Sequence, residues 1–219
     1  MSLLLNKHRY WSRFETTILE IVDLAIDLFK AEHTFAVKED DLNRQFYFCL
    51  VKANYQLQKR NKGLESPPFY EGNNQPSSDE EERVARESKR PDFQWSVTDI
   101  SEPKPEKSSK QFVLECKRLG QPVGTWILNK NYVDHGVRRF IDENHGYGYG
   151  VEASAMLGYI QNMDIVDIIM EVNNEMELLN QPLIGNKVVK LNHIQFSHVL
   201  NKEFPLEKIE LKHVWIDIR

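Results

Sequence analysis

Asp92 follows a proline and opens a stretch, Pro91-Asp-Phe-Gln-Trp-Ser-Val-Thr98, that alternates as a half-buried strand does. Further along, Glu115 and Lys117 interrupt a strongly apolar run, Gln111-Phe-Val-Leu-Glu-Cys-Lys117. Side chains two apart on a strand share a face, so Glu115 and Lys117 point the same way. The polar loop 101–109 between the two runs makes an antiparallel pair the economical reading, which carries Asp92 to the same end of the sheet. Two carboxylates converging there form a hard-oxygen site suited to Mg2+ or Mn2+, with the backbone carbonyl of Cys116 as a further ligand. A lysine beside such an ion can orient or help deprotonate an attacking water and offset charge on a phosphorane-like transition state. The chemistry to expect is metal-assisted hydrolysis of a phosphodiester. Most Glu-x-Lys pairs on strands are simply solvated faces. Here Phe112, Val113 and Leu114 mark the strand as central, where burying a glutamate and a lysine without purpose is costly.

Elements must position these groups. Residues 15–31 predict a leading amphipathic helix, with Ile18, Ile21, Val22, Ala25, Leu28 and Phe29 on one face. A second helix is expected from about Asp41 to Gln58, capped by Asp40 or Asp41. Residues 62–90 hold turn-formers leading into Asp79-Glu-Glu-Glu82 and read as an exposed, flexible acidic insertion. Helices are predicted from Asn131 to about Asp142, from near Val151, and from Ile165 to Leu179. Strands are predicted over His193–Val199 and Lys208–Ile218. The sum is one α/β domain over 1–219 with a central mixed sheet flanked by helices.

The Pro91-Asp92 and Glu115-Cys116-Lys117 pattern resembles the PD-(D/E)xK nuclease superfamily, over roughly Glu39 to Asn162. The order of elements is similar as well: a helix, strands carrying the motif, then a helix. The resemblance implies a restriction-endonuclease-like fold and a divalent-metal-dependent endonuclease acting on DNA, with a bacterial defence or restriction-like role. In that frame Asp92 and Glu115 hold Mg2+ (or Mn2+) and Lys117 acts on the nucleophilic water. Members also place an acid on the preceding helix, which Glu39, Asp40 or Asp41 can supply, and some carry a glutamine where Gln161 stands. Pairing as a homodimer and a protein partner that supplies target specificity are further implications. The rival from another class is a subunit that keeps the nuclease fold but only binds nucleic acid or scaffolds a complex.

Composition constrains the partner. The chain has 219 residues, 41% hydrophobic and 28% charged, and a net charge of −5, which excludes a uniformly basic nucleic-acid binder. The charge is unevenly spread. Residues 110–139 carry six basic and two acidic side chains, a local +4 within an acidic protein. Arg118, Lys130 and Arg138 are the candidates there for tracking a phosphate backbone, although Arg138 and Arg139 fit a solvated helix face equally well. Gly146-Tyr-Gly-Tyr-Gly150 reads more as a tight connector than as a base-stacking loop. His193, His198 and His213 have no serine nucleophile motif to serve. No run approaches the length of a membrane span, no signal peptide is expected, and Cys49 and Cys116, placed as reduced core thiols, point to a cytoplasmic protein.

Overall fold

The computed structural model describes residues 2–219 apart from 79, 186 and 204, with side chains described from Tyr10 onward. Its frame is a mixed sheet of seven described strands in the order β1-β2-β3-β4-β7-β6-β5. These are β1 (Phe69–Tyr70), β2 (Phe93–Thr98), β3 (Ser109–Leu119), β4 (Ala153–Ile160), β5 (Val188–Val189), β6 (Ile194–Asn201) and β7 (Lys208–Asp217). The expected hairpin is present: β2 and β3 pair antiparallel, with Phe93 opposite Leu114 and Thr98 opposite Ser109. The centre of the sheet is parallel, β3 to β4 and β4 to β7.

Helices cover both faces, α1 (Ser2–Ala31) and α2 (Glu39–Gln58) on one, α3 (Leu128–Asp134) and α4 (Ile165–Leu178) on the other. Period-2 alternation divides each central strand between them. Ala153, Ala155, Leu157 and Tyr159 join Phe112, Leu114, Cys116, Val214 and Ile216 beneath α1 and α2. Met156 and Ile160 join Val113, Leu119, Ile209, Leu211 and Trp215 on the α3–α4 side. A strand buried on both faces needs no polar alternation, which explains why the region from Val151, expected to be helical, is instead strand β4. Every residue of β4 is buried.

Gly158 on β4 lies between Lys117 and Trp215 in register. A Cβ there would come within 2.4 Å of Leu119 Cδ1 and 2.7 Å of Trp215 Cδ1. Gly158→Ala should therefore destabilise the fold by about 1–3 kcal/mol through overpacking. Equilibrium urea unfolding measures this directly, and an unchanged midpoint would contradict it.

Two other expectations are corrected. The helix from Asn131 to Asp142 is two pieces, α3 and a 3-10 turn over Val137–Phe140, broken at Gly136. The N-cap of α2 is Lys38, without a side-chain capping bond, and not Asp40 or Asp41. The segment 62–90 supplies edge strand β1, and Asn74 donates from Nδ2 to the carbonyls of Arg86 and His145. Cys49 and Cys116 are buried free thiols. No helix among the described residues is long and apolar enough to cross a membrane.

Candidate active site

Strand β3 continues beyond the start of β2. Register ends at Phe93–Leu114, so from Glu115 onward the β2-facing edge of β3 has no strand partner. Buried backbone donors still need acceptors, and here side chains supply them. Cys116 N–H donates to Asp92 Oδ2 at 2.7 Å, and Arg118 N–H donates to Glu39 Oε2 at 3.1 Å. β2 begins only at Phe93, so Asp92, after Pro91, stands just outside the strand where β3 is left open. Its own N–H reaches Glu115 Oε2 at 3.4 Å.

Lys117 binds the cluster together. Its Nζ lies 2.7 Å from the Cys116 carbonyl oxygen, 2.8 Å from Glu39 Oε1 and 3.0 Å from Glu115 Oε1. The fully buried Glu115 also accepts from Arg139 Nη1. Gly136 makes this approach possible: a Cβ at Gly136 would stand 3.2 Å from Lys117 Cγ and 2.5 Å from Met156 Cε. The 3-10 turn that follows then swings Arg139 over Glu115.

Electrostatics follow from this packing. Burial works to lower the pKa of Lys117, but the carboxylates of Glu115, Asp92 and Glu39 outweigh it and hold the ammonium above its ordinary range. The pKa of Asp92 is raised too, which for an acid disfavours the charged form. Desolvation and the Glu115 charge push its carboxyl well above the usual range, against the pull of Lys117 and the Cys116 N–H. Arg139 stays firmly cationic, because Glu115 more than offsets the effect of burial.

The sequence candidates are sorted as follows. Asp92, Glu115, Lys117 and the Cys116 carbonyl come together, and of the three acids at the start of α2 it is Glu39 that joins them. Asp40 and Asp41 are exposed. Lys117 opens into a cleft of about 560 Å³ lined by Lys38, Glu39, Asp40, Arg118, Trp126, Leu128, Asn131, His135 and Arg139. Arg118 is thus at the site. Lys130 is turned to α4 instead, paired with Glu175 at 2.8 Å and Asp134 at 2.9 Å, and Arg138 is exposed outside the cleft lining. No residue of 62–90 lines the cleft. Gln161 donates to the Val37 carbonyl at 2.9 Å, tying the end of β4 to the chain just before α2.

Arg139 and Trp126 are the site residues that sequence reasoning missed. Arg139 was legible only as one of two adjacent arginines. The Gly-Tyr loop is a connector: Tyr147 is buried edge-on against Phe140, and Tyr149 lies under Arg86.

The oxygen donors available to a hard divalent ion are Asp92, Glu115, Glu39 and the Cys116 carbonyl, and their chemistry fits Mg2+ or Mn2+. Among the described residues no group of three or more His, Cys, Asp or Glu side chains stands ready-made around a metal position. In this arrangement the oxygens of Glu115, Glu39 and Cys116 instead surround the Lys117 ammonium, itself a cation. No family model matches the chain, nor does any curated protein or any solved structure.

Proposed function

We propose that this protein is a divalent-metal-dependent nuclease that hydrolyses DNA phosphodiester bonds, with a restriction-endonuclease-like core. The observation that carries the reading is the meeting of Asp92, Glu115, Lys117 and the Cys116 carbonyl at the open edge of β3. An isolated surface Glu-x-Lys pair would not be buried, nor joined by two further acids and an arginine. The succession of α2, the β1–β2–β3 meander, α3 and a parallel β4 supports the same core.

Asp92, Glu115 and the Cys116 carbonyl would hold Mg2+ or Mn2+, with Glu39 beside them. Such an ion supplies Lewis-acid charge at the phosphate and lowers the pKa of a bound water. The chain's own groups do the rest. Lys117, held protonated, donates hydrogen bonds and positive charge toward the non-bridging phosphate oxygens as charge builds there. This arrangement favours an electrostatic role for Lys117 over proton abstraction. Arg139 fixes the Glu115 carboxylate, and Arg118 offers a guanidinium to a neighbouring phosphate. A protein partner or a second copy would supply the target choice, as in proteins of this pattern.

The test is cleavage of plasmid and oligonucleotide DNA with Mg2+ or Mn2+. Glu115→Gln and Asp92→Asn should each lower the rate by at least about 100-fold, with calorimetric Mn2+ binding weakened in parallel. Full activity in both variants would sink the assignment. A wild type that neither cuts nucleic acid nor gives heat with Mn2+ would favour the non-catalytic subunit.

A further inference from the structure

The cleft lined by Glu39 and Lys117 also carries a large aromatic side chain that the fold does not use. Trp126 is 59% exposed and makes no ring contact among the described residues. Its neighbours Val123 and Ile127 are also exposed, whereas the next residue, Leu128, is buried. The loop that carries it is nevertheless tightly built. Val123 N–H donates to the Trp126 carbonyl at 2.9 Å and Trp126 N–H returns to the Val123 carbonyl at 3.1 Å, closing a small antiparallel bridge. Gly124 turns the chain within it at φ +61°, a left-handed conformation that favours glycine.

The root of the loop is fastened as well. Gly120 N–H donates to Asn129 Oδ1 at 2.9 Å and Gln121 N–H to Asn162 Oδ1 at 2.8 Å. Asn129 is fully buried and donates onward to Glu171 Oε2. The backbone that carries the indole is thus fixed, and the ring is presented to solvent in the cleft that Lys117 also lines. Cations share the same cleft: Lys38, Arg118 and Arg139 line it with Trp126, and the Arg118 Nε–H is buried without an acceptor.

We infer that Trp126 is a stacking platform for an unpaired base, so that the cleft engages single-stranded DNA beside the scissile phosphate. The inference rests on the nuclease reading of that site. An aromatic face stacks on the face of a base, and in a duplex both faces are covered by neighbouring pairs. A planar wall next to backbone-binding cations is the combination by which proteins grip single strands without reading sequence. A duplex lying on a flat basic surface needs no such wall.

The test measures binding in EDTA, where turnover is absent, using an oligothymidylate of roughly 16 nucleotides and a duplex of equal length. Trp126 is the most exposed of the four tryptophans, the others being Trp11, Trp95 and Trp215. Its fluorescence should therefore be quenched by the single strand. Trp126→Ala should weaken single-strand binding about tenfold while duplex affinity changes little, and Trp126→Phe should restore most of the loss. Equal single-strand affinity in wild type and Trp126→Ala overturns the inference, as does equal loss on both substrates. Wild-type self-association that Trp126→Ala abolishes, with DNA affinity unchanged, overturns it in favour of a second copy on this surface. If Mg2+-dependent, Glu115-dependent cleavage persists while single-strand affinity ignores Trp126, only this inference falls. If the wild type neither binds nor cuts any nucleic acid, the nuclease reading falls with it.

Discussion

Replacing Lys117 with methionine should lower the stability of the cation-free protein by about 3–5 kcal/mol, and divalent ions should return much of that loss. Methionine matches the lysine stem out to Cε, so the close approach to Gly136 is largely kept. What disappears is the positive charge among Glu115, Glu39 and the Cys116 carbonyl. Glu115 is fully buried and would be left with Arg139 as its one cationic partner among the described residues, beside the Asp92 N–H. Breaking a buried pair by removing one member leaves an uncompensated charge, and that desolvation cost is what unfolding relieves. If the cluster binds a divalent ion as proposed, the variant has another route to neutrality. At a hundredfold excess over Kd, an ion that binds only the folded state stabilises it by about 2.7 kcal/mol. Thermal unfolding should therefore show a larger Mg2+- or Mn2+-induced rise for Lys117→Met than for the wild type. Equal rises in both proteins would argue that no ion enters the cluster. DNA cleavage should be lost in this variant even when its stability is restored, which separates the chemical role of the ammonium from its structural one.

On the same face of the sheet as Lys117, in the α3–α4 core, Tyr132→Phe should cost about 2–5 kcal/mol, a large effect for the loss of one oxygen. The Tyr132 hydroxyl accepts from Trp215 Nε1–H at 2.9 Å and lies 2.7 Å from His213 Nδ1. His213 Nε2 is in turn 3.2 Å from His198 Nδ1, and His198 Nε2 meets the Pro182 carbonyl. One arrangement of protons satisfies the whole chain: indole to phenol, phenol to His213, His213 to His198, His198 to carbonyl. Each imidazole then has one N–H and is neutral. Removing the phenol oxygen strands two buried groups, the indole N–H and His213 Nδ1.

The same chain predicts an acid-side loss of stability. Burial holds the pKa of His213 well below its ordinary value, and His198 lowers it further. Burial also lowers that of His198, against the effect of the Pro182 carbonyl. Unfolded, both take up protons near pH ~6.5. Folded-state values below the unfolded ones mean that this contribution is fully present above about pH 7. It shrinks as the pH falls below about 6.5, by up to about 1.4 kcal/mol per pH unit for each histidine. Urea unfolding across that range reads the slope, and His198→Gln should flatten it by about one proton's worth. A slope unchanged by that substitution would place the acid sensitivity elsewhere.

Which parts of this structure the sequence reveals depends on how local their determinants are. The β2–β3 hairpin and the shared face of Glu115 and Lys117 follow from period-2 alternation, a local property, and both were legible. Strand β4 was not, because Ala, Met and Gly with both faces buried leave no alternation to read. The choice of Glu39 over Asp40 and Asp41 lies beyond local pattern. Consecutive acids at a helix start point about 100° apart, and only the seating of α2 against the open edge of β3 selects one. Arg139 was hidden for a related reason. Gly136 replaces helix by a 3-10 turn, so the helical wheel that equates Arg138 and Arg139 with one exposed face does not apply. Trp126 carried no signal at all, since its importance lies in exposure, which a pattern of types does not encode.

The open stretch of β3 has one more consequence. An unpaired strand edge in the middle of a sheet is an invitation to a strand from another molecule. Here the invitation is refused by Asp92 and Glu39, whose carboxylates occupy the amides of Cys116 and Arg118. In the nuclease proposed above, the acids assigned to the metal site would thus also be the ones that block edge-to-edge pairing. A variant such as Asp92→Ala sacrifices both properties at once: the inactive protein would also be the sticky one.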